Sequence, residues 1–157
     1  MRTGIGFDVH SFAPGRPLIL GGVRIPFESG LAGHSDADVL THAICDALLG
    51  AAALGDIGRH FPDTDPEWEG ADSLDLLRRV VVMVEGAGFS IGHIDATILA
   101  EKPNIAPHVE AMTARLLENL PESSSINIKA TTMEKMGALG RGEGMGTLAV
   151  ATIFAGS

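Results

Sequence analysis

The sequence predicts an α+β protein, a mixed β-sheet with helices packed on one of its faces. Three observations carry that prediction. Residues Thr3 to Ser11 and Ile91 to Ala100 alternate with the period of two expected of strands. Between and after them, apolar residues recur at helical spacing in three separate stretches. No internal repeat, low-complexity tract or linker divides the 157 residues, which are read as one domain, 1–157.

In the first strand, Ile5, Phe7 and Val9 face one way, and Gly4, Gly6, Asp8 and His10 the other. Pro17 to Pro26 holds two short apolar runs joined by Gly21-Gly22, a hairpin signal. The first long helix opens in Gly33-His34-Ser35-Asp36-Ala37-Asp38. Ser35 with Asp38 matches a capping box, which predicts Ser35 as the N-cap. Leu40, Ile44, Ala47, Leu48 and Ala51 form its apolar stripe; Asp38, His42 and Asp46, four apart, lie on the opposite face. Gly55-Asp56-Ile57-Gly58 reads as the stop, and Phe61 to Pro66 as a loop stiffened by two prolines. Asp72 caps a second helix with Leu74, Leu77, Val81 and Val84 as its stripe, ending at Gly86 or Gly88. In the strand that follows, Ile94, Ala96 and Ile98 oppose His93, Asp95 and Thr97. Pro107 opens a third helix with Val109, Met112, Leu116 and Leu117 apolar. Ile126 to Ala130 is a short strand, Thr131 to Lys135 a strand-to-helical-turn junction, and Thr147 to Phe154 a closing apolar strand. The glycine-rich segment from Gly137 to Gly146 is too irregular for a nucleotide-binding fingerprint.

Composition narrows the function. A net charge of -9, from 11 Lys+Arg against 20 Asp+Glu, excludes a basic nucleic-acid-binding surface. An anionic substrate then has to be held by metal ions or backbone N–H groups. Mean hydropathy of +0.23 fits a packed globular chain, and no apolar run is long enough to span a bilayer. The single Cys45 rules out an intrachain disulfide, and the first residues carry neither a secretory nor a transit pattern. A cytoplasmic location is the expectation.

Asp8-x-His10 on a strand and His42 on a packed helix form a two-histidine, one-carboxylate set. Three protein ligands with a fourth position open is the pattern of catalytic zinc. Asp46, one turn after His42, is placed to orient the His42 ring. The competing reading is a solvated acidic helix face with ordinary half-buried histidines. For the Asp63-Thr64-Asp65 loop, it is a plain surface connection.

These residues together resemble the 2-C-methyl-D-erythritol 2,4-cyclodiphosphate synthase family over nearly the whole chain. The likeness runs through Gly-Phe-Asp8-Val-His10, Leu-Gly-Gly-Val-Arg-Ile-Pro, Gly-His34-Ser35-Asp36, the stretch from Asp46 to Gly58, and Phe-Pro-Asp63-Thr-Asp65. It continues in Ile-Lys129-Ala-Thr131-Thr132, Glu134-Lys135 and Gly-Arg141-Gly-Glu143-Gly. The resemblance implies a homotrimer with active sites between neighbouring subunits. The implied reaction converts 4-diphosphocytidyl-2-C-methyl-D-erythritol 2-phosphate to the cyclic diphosphate and CMP, in non-mevalonate isoprenoid biosynthesis. By position, Asp8, His10 and His42 hold Zn2+, with His34 and Thr132 as further catalytic residues. Ser35, Asp56, Ile57, Gly58, Asp63 and Asp65 line the methylerythritol phosphate side. Ala100, Pro103, Asn104, Ile105 and Ala106, with Thr131, hold the cytidine largely through backbone groups. Thr132 serves the diphosphate, and so does Glu134, which binds a second ion, Mg2+ or Mn2+. Arg141 with Phe7 resembles the part of the family's trimer axis that takes an isoprenoid diphosphate.

Two positions depart from the family pattern: Asn104 stands where lysine is common and Met133 where threonine is common. Neither touches the implied zinc ligands. A metal-stabilised binding protein with a degraded site would keep Asp8, His10 and His42 yet have no need of Thr132 and Glu134, and both are present. A simple divalent-metal phosphohydrolase is disfavoured by the cytidine-loop resemblance.

Overall fold

The computed structural model describes residues 1–156, and its organising contact is set by two glycines. Gly4 and Gly6 lie in β1 (Arg2–Pro14), under α1 (Val39–Ala52). A Cβ on Gly4 would run into the Ala47 carbonyl and the Ala51 amide; one on Gly6 would meet the Ala43 carbonyl and the Ala47 amide. The helix answers with Ala43, Ala47 and Ala51, all buried. Helix backbone therefore rests on strand backbone, far closer than Leu or Ile at these positions would permit.

Around that contact a five-stranded sheet has the order β4-β1-β7-β5-β6, with β4 at Ser29–Leu31, β5 at Phe89–Leu99, β6 at Ser125–Thr131 and β7 at Gly144–Ala155. β5 and β6 are parallel and the other neighbours antiparallel, which makes the sheet mixed as expected. α1 packs on β1 and β7, α3 (Ser73–Gly86) on α1 and β5, and α4 (Val109–Leu117) on β6. The hairpin forms as β2 (Leu18–Leu20) and β3 (Val23–Ile25), with φ of 55° and 70° at Gly21 and Gly22, the left-handed pair a tight two-residue turn needs. Two single-turn helices complete the chain, α2 (Ile57–His60) and α5 (Gly137–Gly140). No helix among the described residues is long and apolar enough to cross a membrane.

Several expectations change. The N-cap of α1 is Asp38, not Ser35: the Asp38 carboxylate accepts from the Thr41 amide at 3.0 Å and the Thr41 hydroxyl at 2.8 Å. It also takes the Gly21 and Gly22 amides at 2.9 and 2.8 Å, fastening the hairpin to the helix start. Asp38 is thus fully buried, not part of a solvated acidic face. The helix stops earlier than Gly55, at Ala53 in the left-handed conformation, and Asp56 instead caps α2 through the Arg59 amide at 2.9 Å. Leu117, expected in the α4 stripe, is exposed, leaving Met112 and Leu116 as its buried residues. The stripe of α3 is as expected, from its Asp72 cap to its end at Gly86.

Candidate active site

Asp8, His10 and His42 meet at one end of the covered face of the sheet. Strand alternation turns Asp8 and His10 toward α1, on the side of Gly4 and Gly6, and the glycine contact brings α1 close enough for His42 to reach them. One ligand atom from each lies within 4.8 Å of the other two. Asp8 Oδ2 is 2.9 Å from His10 Nε2 and 3.1 Å from His42 Nδ1.

The chemistry of this donor set fits a metal ion. His10 Nδ1–H donates to the Ala32 carbonyl at 2.6 Å, an acceptor-only partner that leaves Nε2 as the free nitrogen. That Nε2 is buried and faces the Asp8 carboxylate at 2.9 Å. An anionic oxygen between two imidazole nitrogens is stable only with protons or a cation among them. Without metal, protons do this work. Burial alone would raise the Asp8 carboxyl, but the hydrogen bonds and charges of His10 and His42 override it and hold it far below the usual carboxylate range. The Asp8 carboxylate, in turn, raises His10 against the opposing effect of burial. Two nitrogens and one carboxylate oxygen make a ligand set suited to zinc, with a position left open for substrate.

Asp46 does not orient His42. Its Oδ1 accepts the Ile57 amide at 2.7 Å, anchoring α2 and thereby Ile57 and Gly58 at the pocket edge. The ring contact it was expected to make comes from Ser73, which presents Oγ 2.8 Å from His42 Nε2. Cys45 is buried, and desolvation, with the Asp46 and Asp38 carboxylates, pushes its thiol pKa well up, so it offers no nucleophile.

The remaining expected residues fall into two groups. The first surrounds His10 and His42 in a pocket of about 370 Å³, with His34, Ser35, Ile57, Gly58 and Asp63 in its wall. Arg16 brackets His34 by donating to the Gly33 and Ser35 carbonyls, each at 2.6 Å, and the His34 ring donates to the Asp65 carbonyl at 3.2 Å. The carboxylate of Asp65 caps the Pro66–Trp68 turn, and that of Asp56 caps α2. Asp56 and Asp65 are not among the residues that line this pocket.

The second group lines a cleft of about 580 Å³ at the ends of β5 and β6, containing Ala100, Pro103, Asn104, Ile105, Thr131 and Thr132. Ala106 begins the helical turn that follows. Glu134 and Lys135, at φ of 50° and 62°, make a turn strained for side-chain-bearing residues. Glu101 holds that turn: its Oε1 accepts from the Met133 amide at 2.9 Å and the Lys135 amide at 3.1 Å. Thr132 Oγ1 accepts the Glu134 amide at 3.2 Å and lies 3.2 Å from the Glu134 carboxylate. Arg141 pairs with Glu143 of the same chain at 2.6 Å. Within the chain the two groups sit at the same end of the sheet, but β7 separates β1, which carries the first, from the β5–β6 edge that carries the second.

Sequence reasoning missed Arg16, Asp36, Ser73 and Glu101. None lies in a periodic pattern that points at a site; each acts through a contact distant in sequence.

The chain is similar to known proteins over almost all of its length. Residues 1–154 match the model of the YgbB family. A 2-C-methyl-D-erythritol 2,4-cyclodiphosphate synthase of Syntrophobacter fumaroxidans is 59% identical over 152 residues, covering 96% of this chain and 95% of the relative. One from Burkholderia thailandensis is 59% identical over 153 residues, covering 97% and 94%. Among solved structures, the bifunctional IspDF from Campylobacter jejuni superposes with a TM-score of 0.92 at 44% identity, over 98% of this chain and 42% of that one. A CDP-bound 2C-methyl-D-erythritol-2,4-cyclodiphosphate synthase gives 0.87 at 37% identity, over 98% and 100%. Matched from end to end in sequence and fold, the chain belongs to the YgbB family.

Proposed function

We propose that this chain is a metal-dependent cyclising lyase that converts 4-diphosphocytidyl-2-C-methyl-D-erythritol 2-phosphate to 2-C-methyl-D-erythritol 2,4-cyclodiphosphate and CMP. The observation that carries this reading is the convergence of Asp8, His10 and His42 on one centre, in a fold whose relatives bear that synthase name. An oxygen of the substrate's 2-phosphate attacks the β-phosphorus; the new P–O bond closes the ring as the bond to the α-phosphate oxygen breaks, and CMP leaves with that electron pair. No protein nucleophile is needed. Asp8, His10 and His42 would hold a divalent ion, which when bound would supply the positive charge that a protein of net charge -9 lacks.

The chain's own residues position the substrate. His34, Ser35, Asp56, Ile57, Gly58, Asp63 and Asp65 receive the methylerythritol phosphate. The cleft from Ala100 to Ala106, with Thr131, takes the cytidine, consistent with CDP in the related structure. Thr132 and Glu134 face the diphosphate, and Glu134 would hold Mg2+ or Mn2+ together with the substrate phosphates. Fixing attacking and leaving oxygens in line converts loose encounter into oriented reaction, worth several kcal/mol by roughly the effective molarities of intramolecular reactions.

The active unit is a homotrimer of one-domain subunits, in which one subunit's metal pocket meets its neighbour's nucleotide cleft. Supporting this is the uncovered face of the sheet, where Ile5, Phe7, Val9, Leu148 and Phe154 are all exposed. The same apolar face and Arg141 form the axial place for an isoprenoid diphosphate. The free, buried Cys45 supports a cytoplasmic location.

Mass spectrometry of the products, with and without a chelator, tests the reaction. Equal amounts of CMP and cyclic diphosphate, both lost on chelation, are expected. A linear product accompanied by inorganic phosphate would replace this reading with a phosphohydrolase.

A further inference from the structure

Building on the metal-centre reading, the geometry points to Ser73, held by Asp36, as the positioning residue that sets the tautomer of His42 and so its readiness to bind the metal. Ser73 opens α3 and is fully buried, 31 residues from His42 in sequence. Its backbone amide donates to Asp36 Oδ2 at 3.0 Å, and its hydroxyl donates to Asp36 Oδ1. A carboxylate oxygen accepts, so the hydroxyl proton of Ser73 is committed to Asp36.

What remains on Ser73 Oγ is a lone pair, and it faces His42 Nε2 at 2.8 Å. That nitrogen therefore carries the hydrogen and donates it. In a neutral ring the lone pair is then on Nδ1, the atom directed at Asp8. Ser35 Oγ, 3.2 Å from the same Nε2, is the weaker partner, because it also accepts the Ala37 amide. His10 reaches the matching state through a backbone carbonyl, His42 through a serine and a carboxylate. Each ring thus has one nitrogen tied to an acceptor and the other aimed at the common centre, and the Asp36–Ser73–His42 relay orients the ligand it ends on. Asp36 also accepts the Asp38 amide at 3.2 Å, which ties the relay to the start of α1.

The test is zinc affinity of the full chain, measured by competition with a chromogenic chelator, alongside imidazole nitrogen NMR of His42 in the metal-free protein. Ser73→Ala is expected to weaken zinc binding about 10–100-fold. The His42 ring should shift from a single Nε2–H form to a tautomer mixture, while the circular dichroism spectrum is unchanged. Asp36→Asn, which keeps the Ser73 hydroxyl but weakens its anchor, should move both readouts the same way by less. Zinc affinity within two-fold of wild type in Ser73→Ala, or an unchanged His42 tautomer, would overturn the assignment. Failure of the wild-type chain itself to bind zinc would instead remove the metal-centre reading on which it rests.

Discussion

Along β1 the two faces of the sheet invert the usual association of large apolar side chains with the inside, whereas β5 and β7 keep Ile94, Ile98 and Ile153 buried in the ordinary way. On the face under α1, β1 presents Gly4 and Gly6; on the open face it presents Ile5, Phe7 and Val9, which are 67%, 54% and 49% exposed. On its covered side β1 uses the smallest residues because the α1 backbone has to come within touching distance. That closeness carries His42 to Asp8 and His10. The open face leaves its bulk uncovered within the chain. Burial is decided by what lies opposite a residue, and a period-two pattern names the two faces without saying which is inside.

The largest expected effect comes from spoiling the covered face. Gly6→Val should destabilise the fold by about 3 kcal/mol, the upper range for overpacking, because its Cβ meets helix backbone that cannot rotate away. Denaturant unfolding measures this, and zinc content should fall with it. A variant as stable as wild type, with full metal content, would break the proposed link between close packing and the site.

The opposite face should respond oppositely. Ile5→Glu should change the stability of the isolated subunit by no more than about 0.5 kcal/mol, as exposed substitutions do. It should nevertheless abolish self-association in sedimentation velocity, and with it turnover. Unchanged association would show that the open face is not the interface.

A smaller effect distinguishes the protonated centre from the metal-bound one. His10, raised in the metal-free fold, contributes stability fully present below its unfolded value of 6.5 and lost as pH rises through the higher folded value. Asp8, depressed, contributes above 3.8 and loses this only as pH falls through its folded value. The stability difference between metal-free wild type and His10→Ala should therefore be greatest between pH 3.8 and 6.5 and shrink at higher pH. Zinc affinity should run the other way, rising with pH as the ion replaces those protons. Melting curves and zinc titrations across pH check both; parallel trends would contradict the exchange.

Much of the architecture was legible because it repeats. The α1 and α3 stripes, the Gly21-Gly22 hairpin and the alternation of β5 each show a period or a turn pair that local physics requires. Elements of three or four residues, such as β4, α2 and α5, are too short to show a period. The cap of α1 was misplaced because Ser35 and Asp38 are both good capping residues. What decides between them is the grip of Asp38 on Gly21 and Gly22, a tertiary contact. Asp46 illustrates the same limit: spacing of four puts it beside His42 along the helix, but the Ile57 amide claims its carboxylate. The zinc ligands were readable as residue types, and their meeting was not, since it depends on how closely a strand of glycines lets a helix approach.

The most direct test of that meeting is anomalous diffraction at the zinc edge from crystals of the zinc-loaded protein. A single peak is predicted, with Asp8 Oδ2, His10 Nε2 and His42 Nδ1 each about 2.0–2.2 Å away. A peak elsewhere, or one that leaves any of these three atoms out of its coordination shell, would contradict the account.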